Sequence, residues 1–404
     1  MTMAADKQDK VLNVPTLRFP EFSGDWKEST IGKEFELYSG NTPSRLDKEN
    51  FVGDVNWITS GELKEHYIGD TKEKISESSA KENNLRLMPE GTFVIAIYGL
   101  EAEGVRSTGS IITKRSTISQ ACMAFTPKGD ISNEFMYSWY KKHGNVIGIR
   151  YAQGTKQQNL SYDIIEKFKI RYPSLKEQDK LNSFISLLDT RIATQIRIIN
   201  EIQSLISGIT QKISKHSSIR MTMLSELLEE RNEKNTALFP VHSVSVSEGV
   251  INQIDYLGRS FAAADTSHYN VAHKGDIIYT KSPTGEFPFG IVKRNAIESN
   301  VAVSPLYGVY KPISDDVAIY LHYYFCSPLN AQNYLHKLIQ KGAKNTINIT
   351  NQRFVQNCIP LPDKKTLEGF VKLTTTVSTK LKLEKSLLEK LQKQKRYLLT
   401  QMFV

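Results

Sequence analysis

Two short stretches of the chain bring together side chains that could hold a phosphate and read the edge of a base. One is Arg150-Tyr151-Ala152-Gln153-Gly154-Thr155-Lys156-Gln157-Gln158-Asn159; the other is Lys341-Gly342-Ala343-Lys344-Asn345-Thr346-Ile347-Asn348. Lysine and arginine neutralise phosphate charge and supply affinity without sequence choice. Choice needs Arg, Lys, Asn or Gln forks aimed at base edges in the groove. Glycine at the bend lets the backbone approach closely. The competing reading is a solvated loop that leads into the last strand of each domain. Between Arg106 and Arg171, eleven basic residues stand against four acidic ones, a local excess suited to a polyanion. The candidate DNA contacts are Arg45, Arg106, Lys114, Arg115, Arg150, Tyr151, Lys156, Gln157 and Gln158 in the first half. In the second half they are Lys281, Lys293, Arg294, Lys344, Asn345 and Asn348.

Signals for catalysis are missing. The sequence has no GxxxxGK[ST] loop for nucleotide phosphates, no GxGxxG after a strand and no Asn-Pro-Pro-aromatic tetrapeptide. Its eight histidines include no HExxH and no Cys/His group with zinc spacing; His268 and His273 read as loop histidines. Cys122, Cys326 and Cys358 are too scattered to imply a pairing, which predicts a reduced, cytoplasmic chain. Residues 1–13 are polar and read as a mobile tail, neither signal peptide nor anchor. No run approaches the ~18 apolar residues that would span a bilayer. The net charge of +9 on 404 residues supports an anionic partner without demanding one. The expectation is a binder, not an enzyme, with no metal or cofactor of its own.

The elements that must position the two loops repeat. From Asn159 to Ile192 the first copy matches the second, Asn348 to Leu381, at a constant offset: Ile170 falls on Ile359 and Pro173 on Pro362. A unit this long exceeds the ~20–50 residues of a solenoid repeat. It reads as a globular α/β (α+β) domain followed by a long helix, twice over. The expected boundaries are 14–172 for domain one, 173–215 for helix one, 216–362 for a linker and domain two, and 363–404 for helix two. Residues Ile219–Lys234 read as a third helix or a linker, and Asn133–His143 has helical spacing.

Both long helices carry a heptad seam. In helix one, Ile185, Ile192, Ile199, Ile206 and Ile213 take one core position and Leu181, Leu188, Gln195, Ile202 and Ile209 the other. In helix two the matching columns hold Leu381, Leu388 and Met402, and Phe370, Val377, Glu384, Leu391 and Leu398, with Thr374 and Lys395 as blemishes. A seam this regular predicts a coiled coil. Helix two must return toward domain one to meet helix one, so the expected pair is antiparallel and pseudo-twofold symmetric. Gln195 and Glu384, equivalent by the repeat, are expected to meet near the axis and help set register. Ser174 and Glu177 are spaced as a capping box, and Asp363 is a possible cap of helix two. Leu187, Ile196, Ile198, Leu383 and Leu387 lie outside the seam, where they could meet partners or the domains themselves.

The opening Val14-Pro15-Thr16-Leu17-Arg18-Phe19-Pro20-Glu21-Phe22 with Trp26 resembles that of specificity subunits of type I restriction–modification systems. So do Ser39-Gly40-Asn41-Thr42-Pro43-Ser44-Arg45, the run Val55 to Leu63, the Gly154–Leu160 loop, Tyr172-Pro173 and Glu177-Gln178. In the second copy Thr366-Leu367 replaces Glu-Gln, and no Thr-Pro-Ser-Arg is evident. The resemblance implies that each domain is a target-recognition domain and the helices are spacers. It implies double-stranded DNA, two methyltransferase subunits and restriction subunits as partners. S-adenosylmethionine, ATP and Mg would then serve those subunits. Dyad-related domains would read a bipartite, asymmetric target, with half-sites favoured at ~34 Å along one face of the duplex.

Overall fold

The run Phe93–Ala96 is buried at all four positions, the pattern of a central strand covered on both faces. It lies in the first of two compact units, Met1–Thr194 with Leu388–Val404; the second is Gln195–Leu387. The computed structural model describes residues 13–404 apart from 103, 155–157, 217, 255–264 and 342–346. Both units are mixed α/β, as the sequence predicts.

In unit 1 the main sheet holds β1 (Phe35–Ser39), β2 (Phe93–Ala96), β3 (Gly109–Ile112) and β4 (Cys122–Pro127) in the order β1-β4-β2-β3, with Tyr67–Ile68 beyond β3. A three-stranded sheet centred on Val55–Ile58 stands beside it. Helix α1 (Asn133–Tyr151) begins where the Ser132 hydroxyl accepts the Phe135 N–H, a side-chain N-cap. Its Phe135, Met136, Trp139, Tyr140 and Ile147 share one core with Phe93, Ile95 and Phe125. The helix therefore runs well past the predicted His143.

Helix α2 (Leu175–Ile213) follows. Glu177 does not close the predicted capping box. Its carboxylate accepts from Arg18 Nε at 2.8 Å and Nη2 at 2.7 Å, and from Trp26 Nε1 at 3.3 Å. The neighbouring Gln178 is fully buried: its Oε1 accepts the Ser132 N–H, while Nε2 donates to the carbonyls of Asp130 and Pro173. The Arg18, Trp26 and Glu177-Gln178 motifs thus form one joint that seats the helix on the domain.

Unit 2 repeats the sheet. Strands β5 (Leu228–Glu230), β6 (Ile277–Tyr279), β7 (Val292–Arg294) and β8 (Gly308–Pro312) take the order β5-β8-β6-β7, the same arrangement as β1-β4-β2-β3. Phe93 pairs with Phe125 and Ile111, and Ile277 correspondingly pairs with Tyr310 and Arg294. Helix α3 (Asp315–Cys326) then packs as α1 does, with Tyr320, Leu321 and Phe325 in the core. Residues Ile219–Lys234 are not a helix: Arg220–Met223 pairs with Cys358–Leu361, and Leu228–Glu230 is β5. They echo Lys27–Thr30, paired with Lys169–Tyr172, and β1. Ladder pairing with a segment more than a hundred residues away overrides a local helical preference.

Helix α4 (Lys364–Met402) is capped as predicted, Asp363 Oδ1 accepting the Thr366 N–H at 3.0 Å. The helices run antiparallel within each unit. In unit 1, Leu181 and Ile185 near the start of α2 share a core with Leu398, Leu399 and Met402 near the end of α4. Further along α2, Asp189 pairs with Lys395, further back along α4; that ion pair explains one seam blemish. In unit 2, Ile209 and Ile213 join Leu367 and Phe370, and Gln195 Nε2 donates to Glu384 Oε2 at 2.5 Å and to its backbone carbonyl at 3.2 Å. The predicted polar pair forms. The other blemish, Thr374, is buried with its hydroxyl on Phe370 O. Leu181, Ile185, Ile199 and Leu391 are buried, and Leu188, Ile192, Ile202, Val377, Leu381 and Leu388 are half-buried. Leu187, Ile196, Leu383 and Leu387 are exposed and Ile198 is half-buried. No helix among the described residues is long and apolar enough to cross a membrane.

Candidate nucleic-acid interface

Because β2 and β3 are antiparallel, the loop joining them lies at the end of the sheet marked by Ala96 and Gly109. The Gly154 loop is laced to it there. Gln153 and Asn159 exchange backbone hydrogen bonds of 2.8 Å in both directions, closing the loop at its neck. Leu160 N–H donates to Ile97 O at 2.9 Å, and Leu100 N–H to Gln158 O at 3.0 Å. Gly154 has φ +117°, a conformation that favours glycine over residues with a side chain. The Gln158 N–H reaches Glu101 Oε2 at 2.9 Å, and that bond holds the Glu101 carboxyl below its ordinary range. An open cavity of ≈ 530 Å³ beside the neck is lined by Ser39, Tyr98, Met123, Gln153, Gly154 and Asn159. Asn159 Oδ1 is buried with no hydrogen-bond partner among the described residues. Tyr98, which bridges to Asn159, was not among the sequence candidates; it merely ends a β-rich run, and nothing local marks it.

Unit 2 builds the same neck. Gln340–Lys341 pairs with Ile347–Asn348, Gln340 opposite Asn348. Asn348 is the repeat equivalent of Asn159, so in both units a glutamine faces an asparagine across the base of a glycine-containing loop. Lys156, Gln157, Lys344 and Asn345 lie outside the described residues, as does the side chain of Asn348.

The structure separates the remaining candidates. Arg150 and Tyr151 belong to the last turn of α1, not to the loop. They line a cavity of ≈ 770 Å³ with Trp139, His143, Lys167 and Phe168, and Gln153 links it to the neck by lining both cavities. Burial, outweighing the Nδ1 hydrogen bond to Trp139 O, lowers His143 to about 4. Arg106 is spent internally: Nε donates to Leu100 O at 2.7 Å and Nη2 to Glu101 O at 3.1 Å. It shapes the β2–β3 loop. Arg45 is tied to Glu73 and lies over the rings of Phe51 and Trp57. Lys281 follows β6 and is half-buried, burial lowering its pKa against the pull of Glu230.

Lys293 and Arg294 lie in β7. They do not occupy the place of Lys114-Arg115. By strand register they match Ser110-Ile111, inside the sheet. Lys293 is 4% exposed, and Arg294 pairs with Asp315. A buried lysine cannot reach a duplex. Lys114 and Arg115 themselves are exposed in the turn after β3, at the end of the sheet away from the Gly154 neck, and neither forms an ion pair among the described residues. Replacing both by alanine is expected to lower the slope of log affinity against log salt by roughly two, at ~0.9 per phosphate contact. Fluorescence anisotropy on a duplex across a salt series reads this; an unchanged slope removes the pair from the interface.

Residues 23–204 match the family model described as the type I restriction modification DNA specificity domain. The match covers less than half of this chain. The matched segment contains the unit 1 neck and the Trp26 and Glu177-Gln178 parts of the joint, but not Arg18. Over 172 residues the chain is 28% identical to the MjaIX specificity subunit of Methanocaldococcus jannaschii, covering 42% of this chain and 39% of that one. It is 25% identical over 177 residues to the EcoR124I/EcoR124II specificity subunit of Escherichia coli, covering 43% of each. The matches thus span less than half the length of these relatives. Among solved structures the S subunit of the type I system from M. genitalium is similar over 97% of this chain and 99% of its own, with 15% identity and a TM-score of 0.58. A chain from a type I R-M system studied for complex assembly is similar over 93% and 96%, with 12% identity and a TM-score of 0.54. These likenesses show that the fold beyond the specificity domain is shared too. The resemblance to type I specificity subunits read from the sequence holds. Among the described residues no group of His, Cys, Asp and Glu is arranged to hold a metal.

Proposed function

We propose that this chain is the DNA-specificity subunit of a type I restriction–modification complex. Each domain reads one half of a bipartite, asymmetric target, and the long helices fix the unread gap. The observation that carries the reading is the glutamine–asparagine neck, built twice on the same strand order beneath loops of different sequence. A common scaffold with unlike loops suits the reading of two unlike half-sites. The helices also serve as the seat for two methyltransferase subunits, to which restriction subunits are added. Transfer of a methyl group from S-adenosylmethionine to adenine N6, and the use of ATP and Mg, belong to those partners, and this chain is non-catalytic. The exposed Leu187, Ile196, Leu383 and Leu387 outside the seam support a partner-facing role. Mapping methylated adenines genome-wide in cells with and without the gene tests the proposal. The expected result is one bipartite, asymmetric motif that loses methylation when the gene is removed. Unchanged methylation, or loss at an uninterrupted palindrome, overturns it.

A further inference from the structure

The cation buried at Lys293 needs a counter-charge, since a lone ammonium in a protein interior is strongly disfavoured. Among the described residues no carboxylate pairs with it. Its partner is the sulfur of Cys326, 3.3 Å from Nζ. A second donor converges on the same atom. His322, one turn earlier on α3, has Nε2 3.8 Å from Sγ, and its Nδ1 accepts the Arg294 N–H at 3.3 Å. That acceptor role places the imidazole proton on Nε2, facing the sulfur. A thiol is a weak acceptor; a thiolate satisfies both donors and balances the lysine.

We propose that Cys326 is a thiolate modification site in unit 2, poised for a small hydroperoxide. Cys326 is half-buried as a residue and lines a cavity of ≈ 370 Å³, room for a small reagent. Lys293 and Arg294 face it from β7, His322 and Tyr323 from α3, and Glu248 from the turn before Gly249. Arg294 is engaged by Asp315 and Glu248 by Lys385. Gln203, Ser207 and Leu381 of α2 and α4 complete the lining without charge. Burial alone would push the thiol up, but His322 and Lys293, both with nitrogen atoms directed at the sulfur, outweigh it and bring it down. The other cysteines differ. Cys122 is fully enclosed and pushed up to about 12 by burial, and Cys358 lies against Met223 Sδ at 3.2 Å.

In the reaction a sulfur lone pair attacks the terminal oxygen of ROOH. The S–O bond forms as the O–O bond breaks, sulfur losing two electrons and the peroxide gaining them. The proton on the transferred oxygen passes to the departing alkoxide, leaving a sulfenate and ROH. The sulfenate anion keeps Lys293 as its counter-charge.

The test uses the full chain in its folded state. Iodoacetamide alkylation across pH 5–9, read at each cysteine by peptide mass spectrometry, is expected to give Cys326 a midpoint at least one pH unit below the ordinary ~8.5. Treatment with hydrogen peroxide followed by dimedone is expected to label Cys326 roughly tenfold more than Cys358, since thiolate character and exposure govern oxidation. Lys293→Met should raise the alkylation midpoint by a pH unit or more. His322→Gln should do the same, which guards against failure of the first variant to fold. A Cys326 midpoint near the ordinary ~8.5, no alkylation of the folded chain at Cys326, or equal dimedone labelling of Cys358 overturns the proposal.

Discussion

Replacing Arg18 by methionine is expected to cost about 3–5 kcal/mol, because it leaves the Glu177 carboxylate buried without its charge partner. Glu177 is 2% exposed, and without Arg18 its carboxylate keeps, among the described residues, only the 3.3 Å bond from Trp26. Arg18 holds it with a two-pronged pair and also braces its own segment, donating to Gly24 O at 2.6 Å. Urea denaturation followed by circular dichroism reads the loss as a lowered midpoint. The double variant Arg18→Met, Glu177→Met should recover much of it, since removing both charges also removes their desolvation cost. A loss in the single variant below about 1 kcal/mol, the range of an exposed ion pair, would show that the joint at the head of α2 is not electrostatic in origin.

Under the proposed function, the second large effect is on the target sequence. Adding one turn of four residues beside Gln195, with a matching turn beside Glu384 to keep the seam paired, is expected to lengthen the gap by one to two base pairs. The basis is ~5.4 Å per helical turn against ~3.4 Å per base pair. Both half-sites should stay the same, because the loops proposed to read them are untouched. Methylation mapping with the lengthened subunit reads gap and half-sites together. A changed half-site with an unchanged gap would contradict the division of labour between domains and helices.

The heptad seam was legible because a coiled coil writes its geometry into a local period. Gln195 and Glu384 could be matched from that period and the repeat alone, and so could Asp363 as a cap. The residues around the loops behaved differently. Arg106 carries the same charge as Arg115, yet one is folded back onto Leu100 and Glu101 while the other stays in an exposed turn. Counting basic residues cannot tell them apart, since a side chain's use is set by which strand ends meet.

By itself, then, the sequence determined the duplicated α/β plan and the antiparallel helices with their polar pair. All of these rest on periodicity or on self-similarity, both visible along a single line of residues. Only the tertiary structure decided that Ile219–Lys234 opens the second sheet, that Glu177 belongs to Arg18, and that Lys293 faces a cysteine inside unit 2. Each of these outcomes depends on a partner far off in the chain, and burial then forces the charge or the backbone to be satisfied by whatever the fold brings close.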